Sequence, residues 1–286
     1  MTNLPSFERF AAIDWSGAKG KRHKGIAIAM CGTGTAAPVL VRHGHVWSRT
    51  EVLDWLLQTA AEAPTLFGFD FSAAPPIAAR GEYLPGEPGV PKEAKAFWAY
   101  VDAKSEDEDL GAASFLEKIH RRHFYFGAAD GVKRDFLHHR VCEDAFNATG
   151  GGKASTLYDA IGAAQVAKAS FAGMRLLHAL DGRVPVWPMD PLPRHGSVVV
   201  ELYTRAFIRH AGFSGRKIRT LAQLDAALAA LGSEPGRLGH EPSDHETDVL
   251  IASAGMRAIA SDPAYWSPTG LTAELARTEG WTFGVR

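Results

Sequence analysis

Short apolar runs that close on a carboxylate recur along this chain of 286 residues. Phe10-Ala11-Ala12-Ile13-Asp14 is followed by Trp15-Ser16-Gly17, the pattern of a buried strand running into a turn. Residues 25–30 and 39–47 read as the next two strands, and the short loops between them predict an antiparallel meander. Between 50 and 63, Val52, Leu53, Leu56, Leu57 and Ala60 fall at helical spacing, with Thr50 placed as N-cap and Pro64 as the stop. Leu66-Phe67-Gly68-Phe69-Asp70-Phe71-Ser72 is a further strand with an acid near its end. Entered after a helix, it is expected to lie parallel to the first.

The pattern changes over 73–190. This stretch opens with Pro75, Pro76, Pro85, Pro88 and Pro91, carries the acidic run Glu106-Asp107-Glu108-Asp109, and then turns helical, notably over 157–180. It reads as a large, mainly helical insertion with irregular loops. Regular structure resumes at Val198-Val199-Val200-Glu201-Leu202-Tyr203, a third apolar run bearing an acid, and helices are predicted near 219–231 and 244–260. The predicted architecture is a single α/β domain over 1–286 interrupted by the insertion at 73–190.

Composition narrows the function classes. Lys and Arg number 31 against 32 Asp and Glu, a net charge of −1, so electrostatic recognition has to be local. Cys31 and Cys142 cannot build a disulfide framework or a cysteine zinc site. No apolar stretch approaches the ~20 residues of a membrane span, and Glu8 and Arg9 precede the first apolar run where a signal peptide has its basic start. A cytoplasmic protein without a membrane partner is expected.

The candidate chemistry lies in the acids. An ionised carboxylate beside core residues is costly unless paired or metal-bound, yet Asp14, Asp70 and Glu201 each sit at or near the end of an apolar run. Ligands of open α/β sheets bind outside the carboxyl ends of parallel strands. The late helix adds Asp244, His245 and Asp248, whose spacing gathers them on one helical surface. Oxygen clusters of this kind suit Mg²⁺ or Mn²⁺. Asp244 follows Pro242-Ser243 and fits a helix cap equally well.

Several segments, in order, resemble one family: Ile13-Asp14-Trp15-Ser16-Gly17, Gly68-Phe69-Asp70-Phe71-Ser72, Gln165-Val166-Ala167-Lys168-Ala169-Ser170, Val200-Glu201-Leu202-Tyr203, Glu246-Thr247-Asp248-Val249 and Glu279-Gly280-Trp281-Thr282-Phe283. Together they are similar to a family of predicted RNase H-like nucleases known as domain of unknown function 429. The resemblance implies an RNase H-like fold, a five-stranded mixed sheet whose first three strands are antiparallel. Junction resolvases of that fold place a carboxylate on the first strand, one on the fourth, and a pair i,i+3 on the last helix, which His245 and Asp248 match. Thr204 stands where the family often has Pro, so the turn after Glu201-Leu202-Tyr203 departs from the pattern.

The expectation is divalent-metal-dependent hydrolysis of a nucleic-acid or nucleotide phosphodiester. Two Mg²⁺ or Mn²⁺ ions about 4 Å apart would activate water and stabilise the leaving oxyanion. Asp14 would bridge them, Asp70 and Asp248 would ligate, and Glu201 and His245 would ligate or orient water, with Asp244 as a further metal candidate. Lys19 and Lys21 in the basic loop 19–24, with Arg140 and Lys168, are candidate substrate contacts. A solvated hairpin tip explains that loop equally well. The insertion, leaving from beside Asp70, is expected to wall the site and select substrate. An actin-like phosphotransferase or ATPase and a non-catalytic binding protein of the same fold remain alternatives. His120, His123, His138 and His139 lack a completing acid or Cys at a zinc spacing and read as surface histidines, and Phe97, Trp98 and Tyr100 as insertion core.

Overall fold

Alternation within the apolar runs sets the layers. The computed structural model describes residues 4–150, 154–161, 166–213 and 217–286. In it β1 (Arg9–Asp14) pairs antiparallel with β2 (Ala27–Gly32), and β2 with β3 (Val39–Leu40). On its other side β1 pairs in parallel with β4 (Thr65–Asp70). β5 (Val186–Trp187), β6 (Val198–Leu202) and β7 (Thr282–Phe283) follow: β6 lies parallel to β4, and its outer edge carries β5 and β7 end to end. The mixed sheet therefore has seven strands, ordered β3-β2-β1-β4-β6-β5 with β7 also on β6, where five were expected.

The central strands are buried on both faces, which explains their nearly continuous apolar runs. Ala11, Ile13, Phe67, Phe69 and Val199 share a core with α1 (Arg49–Glu62), α2 (Ala94–Lys104) and a later helix of the insertion. Within the insertion, α3 (Val141–Ala148) comes next, and that later helix is α4 (Val166–Ala179). The alternate positions Phe10, Ala12, Leu66, Val198 and Val200 share the other core with α5 (Thr204–His210), α6 (Leu221–Ala230) and α7 (Asp244–Ile259). The short α8 (Pro263–Trp266) and α9 (Ala273–Arg277) complete the chain. No described helix is long and apolar enough to cross a membrane.

Local hydrogen bonding moved several boundaries. Ser48, not Thr50, caps α1: its hydroxyl accepts from the Glu51 backbone N–H at 3.1 Å, and the Glu51 carboxylate accepts from Ser48 N–H at 2.9 Å. That reciprocal pair outcompetes a cap two residues later, and the Thr50 hydroxyl instead donates to Asp109 at 2.9 Å. The predicted third strand 39–47 shrinks to two residues because Arg42 (φ 49°) and Gly44 (φ 78°) turn the chain. The predicted helix 157–180 starts at Val166, since Asp159 forms an extended bridge with Tyr125. Its positions 162–165 lie outside the described residues. The insertion itself has helices α2, α3 and α4 separated by tight turns and long loops, with no regular element over 73–93.

The turn after β1 approaches α4 so closely that only glycine fits. A Cβ at Gly17 would lie 2.1 Å from the Lys168 carbonyl carbon and 2.2 Å from the Ala169 backbone nitrogen. Backbone cannot yield as a side chain can. Gly17→Ala should therefore lower the unfolding free energy by about 1–3 kcal/mol in urea titration. Gly239→Ala, which meets nothing within 4 Å, should change it by no more than about 0.5 kcal/mol.

Candidate active site

The parallel pairing of β1 and β4 sets Asp14 opposite Asp70 on its last rung. Adjacent strands lie about 4.8 Å apart and paired residues project to one face. Both acids share the parity of Phe10, Ala12 and Leu66 and so point toward α7. That helix brings His245 and Asp248 one turn apart on one side. His245 Nδ1 lies 2.5 Å from Asp14 Oδ2. The helix start is fixed by Ser243, whose hydroxyl accepts from Glu246 N–H at 3.3 Å while the Glu246 carboxylate accepts from Ser243 N–H at 2.8 Å. Asp244 is thus the first helical residue rather than the cap. Lys217 Nζ donates to it at 2.8 Å.

Crowding of like charge dominates the electrostatics. The Asp70 carboxyl is pushed well above the usual carboxylate range, first by burial and then by the charges of Asp14 and Asp248. The Thr204 hydroxyl, donating at 3.3 Å, opposes this only in part, and no described cation pairs with Asp70. Burial, followed by Asp14 and Asp244, pushes Asp248 up to about 7. The hydrogen bond to Asp14 raises His245, which favours the imidazolium form. Three acids and a histidine from three elements meet at one end of the sheet.

Beside them opens a cleft of about 240 Å³ whose lining includes Asp70, Tyr203, Thr204, Arg205, Lys217 and Asp248. Thr204, Arg205 and Lys217 were missed in the sequence. Thr204 was visible there only as a departure from the family turn. Arg205 lies on α5, a helix too short to show periodicity, and Lys217 on a loop. The two cations supply positive charge at the rim of an otherwise acidic cleft.

Glu201 is not part of this group. It lies opposite Phe69, one residue before the Asp70 rung, and shares the parity of Val199, so it points to the other face. There its carboxylate is ion-paired with Arg140, whose Nη1 lies 2.7 Å from Oε2, and it also accepts from Ala73 N–H at 2.7 Å and Thr282 Oγ1 at 2.6 Å. Arg140, 1% exposed, is used up as well: it donates to Glu143 at 3.1 Å, to the Glu279 carbonyl at 3.0 Å and to Ser72 Oγ at 3.2 Å. The expected ligand and the expected substrate contact are one buried ion pair.

The other predicted substrate contacts also lie away from the acids. Lys19 Nζ pairs with Glu117 at 2.6 Å, Lys21 with Glu108 at 3.0 Å, and Lys168 approaches Glu117 at 3.8 Å. None of the three lines the acid cleft. Helices α2 and α4 cover the opposite face of the sheet, so most of the insertion serves as a cover rather than a substrate wall. Among the described residues α3 comes near the cleft, where Phe146 packs on Tyr203 with ring centroids 5.1 Å apart. Phe97 and Trp98 pack the insertion core as expected. Cys142 is buried beside Thr282, and burial pushes its thiol up to about 12, which leaves it inert as a nucleophile.

Two outcomes follow from these charges. Asp248 titrates near 7 when folded and near 3.9 when unfolded. Between those values the folded state holds a proton that the unfolded state has lost, so stability falls as pH rises, by at most about 4 kcal/mol. The raised His245 acts in the same direction, because the stability its pairing gives is lost as pH rises through its folded pKa. Metal-free protein should therefore melt lower at pH 8 than at pH 5.5, and Asp248→Asn should flatten that slope; an unchanged slope excludes Asp248 as its source. Separately, Arg140→Met strands Glu201 in the interior and should cost about 3–5 kcal/mol in urea unfolding. Compared with protein-family models, curated proteins and solved structures, the chain matches none.

Proposed function

We propose that the protein is a divalent-metal-dependent phosphodiesterase of RNase H-like fold, acting on a nucleic acid or nucleotide. One observation carries the reading: Asp14, Asp70 and Asp248 converge from two parallel strand ends and one helix, with Asp70 half-buried and without a described cationic partner. Such an arrangement is destabilising alone and is relieved by a divalent cation. The sheet order, an antiparallel β3-β2-β1 followed by parallel β4 and β6, supports the fold assignment, as does an acid at the end of the first and fourth strands.

Asp14, Asp70 and Asp248 would hold Mg²⁺ or Mn²⁺, with His245 and Asp244 at the margin. The oxygen donors suit a hard cation. When bound, such ions lower the pKa of a water and neutralise charge on a phosphoryl oxygen. The chain's own groups do the rest. Arg205 and Lys217 at the cleft rim attract and orient a phosphate, and Thr204 holds the Asp70 carboxylate in place. His245, paired to Asp14 and partly exposed, carries a proton at the edge of the cleft.

Thermal shift and hydrolysis test this together. Mn²⁺ at a hundred times its Kd stabilises by about 2.7 kcal/mol, which for a chain of this size raises Tm by about 5 °C. That shift should vanish in Asp14→Asn and Asp70→Asn. Against single- and double-stranded DNA, RNA and free nucleotides, hydrolysis should require Mg²⁺ or Mn²⁺ and fall on the order of a hundredfold or more in those variants. A metal shift without hydrolysis of any member leaves a binding protein, and hydrolysis confined to nucleoside triphosphates leaves an ATPase. Either result overturns the reading.

A further inference from the structure

Away from the acid cleft, on the opposite side of the sheet, the insertion encloses a second polar cluster. His120 and His123 flank a 3₁₀ turn (Arg121–His123) in which His123 N–H donates to the His120 carbonyl at 3.0 Å. In so tight a turn residues i and i+3 eclipse, so both imidazoles face the loop that carries Glu87. Neither is a surface histidine: His120 is 3% exposed and His123 9%. His123 Nε2 lies 3.0 Å from Glu87 Oε1, and His120 Nδ1 lies 3.7 Å from the same oxygen.

The hydrogen bonding of this cluster is incomplete in one specific way. Tyr100 Oη lies 3.0 Å from His120 Nε2. In the tautomer in which the phenol oxygen accepts, Nε2 carries the proton and Nδ1 is able to ligate a metal. That Nδ1 is buried and has no hydrogen-bond partner among the described residues. The Phe115 ring, with its centroid 4.6 Å from that of His120, closes off the other side. A cation between that nitrogen and the Glu87 carboxylate, 3.7 Å apart, would satisfy both. Part of that cation is already supplied: Arg122 Nε donates to Glu87 Oε1 at 2.9 Å and sits 3.3 Å from His123 Nε2. Its side chain is 63% exposed and also donates to the Gly86 carbonyl at 3.2 Å.

We propose that Glu87, His120 and His123 form a Zn²⁺ site of two imidazoles and one carboxylate, with Arg122 occupying its position in the absence of metal. Zinc bonds of about 2.1 Å in a tetrahedron place ligand atoms about 3.4 Å apart. The observed separations of 3.0 and 3.7 Å bracket that value. Two imidazoles select a borderline metal over Mg²⁺ or Ca²⁺. Tyr100 is the outer partner that fixes the ring of a ligating histidine. Burial also disfavours the imidazolium form of both rings, leaving them neutral as ligation requires. The fourth position, on the Arg122 side, is left to water. Zinc here would tie the 87 loop to the 120–123 turn and so stabilise the insertion, independently of the chemistry at Asp14.

The test is Zn²⁺ titration of chelator-treated protein by calorimetry, with Tm measured in parallel. The wild type should bind one Zn²⁺ at this site and melt higher. Asp14→Asn and Asp248→Asn, which remove the acid cleft's own metal binding, should keep both effects, and adding Glu87→Gln or His123→Gln to Asp14→Asn should abolish them. Since a buried histidine variant can lose binding by misfolding, Arg122→Ala provides a second readout: removing the competing cation should tighten Zn²⁺ about fivefold. Bound Co²⁺ should show the visible absorption of a tetrahedral site in the wild type and lose it in Glu87→Gln. Zinc binding that survives Glu87→Gln in the Asp14→Asn protein, or that disappears in Asp248→Asn, overturns the proposal; so does an Arg122→Ala protein that binds no more tightly.

Discussion

Two carboxylates held side by side at the ends of paired parallel strands set the terms for the rest of this structure. The ladder that aligns Asp14 with Asp70 is specified by six residue pairs of apolar strand, and a shift by one residue would turn every side chain to the wrong face. The fold therefore cannot separate the two acids without sacrificing the sheet core. What it can do is place other groups around them. Helix α7 brings His245 to Asp14, and α5 brings the Thr204 hydroxyl to Asp70. Neither fully neutralises the pair, and Asp248 adds to the crowding.

The contrast with Glu201 shows how finely position decides fate. It is an acid on an adjoining parallel strand, one residue short of the Asp70 rung, and that single step turns it to the opposite face. There it meets Arg140 and becomes a structural anchor. Glu279 has a similar role: its carboxylate accepts from Ile77 N–H at 2.6 Å, Ala78 N–H at 2.7 Å and Val141 N–H at 3.0 Å. With Glu201 holding Ala73 N–H, buried acids pin the insertion where it leaves the sheet and again where α3 begins. Backbone donors that the irregular loops could not satisfy themselves are satisfied by these carboxylates.

Much of the sheet was legible in the sequence because strands buried on both faces leave continuous apolar runs. The order of β1, β2, β4 and β6, the helix stop at Pro64, and the placement of α6 and α7 all follow from period and punctuation. The acids at Asp14, Asp70 and Asp248 were legible for the same reason, standing out against apolar neighbours. Face was not: Asp70 and Glu201 look alike as acids ending runs, and only pairing register separates them. The predicted helix fails around Asp159 because a bridge to Tyr125, far away in sequence, holds the chain extended there. His120 and His123, expected at the surface, are buried. The acid that completes their cluster comes from a loop with no periodicity of its own.

The cations near the acid cleft complete the logic of the site. A lysine placed directly on Asp70 would remove the repulsion and with it any use for a metal. Instead Lys217 is held by Asp244 at the helix start, and Arg205 lies on α5 at the rim. Positive charge is thus kept at the margin while Asp70 has no cationic partner among the described residues. An anion drawn to that margin brings its own negative charge toward the acids, which is unfavourable unless a divalent cation lies between them. In the proposed reaction, metal and phosphate therefore reinforce each other's binding: the ion relieves the carboxylates, and the phosphate, bridging ion and rim, satisfies both.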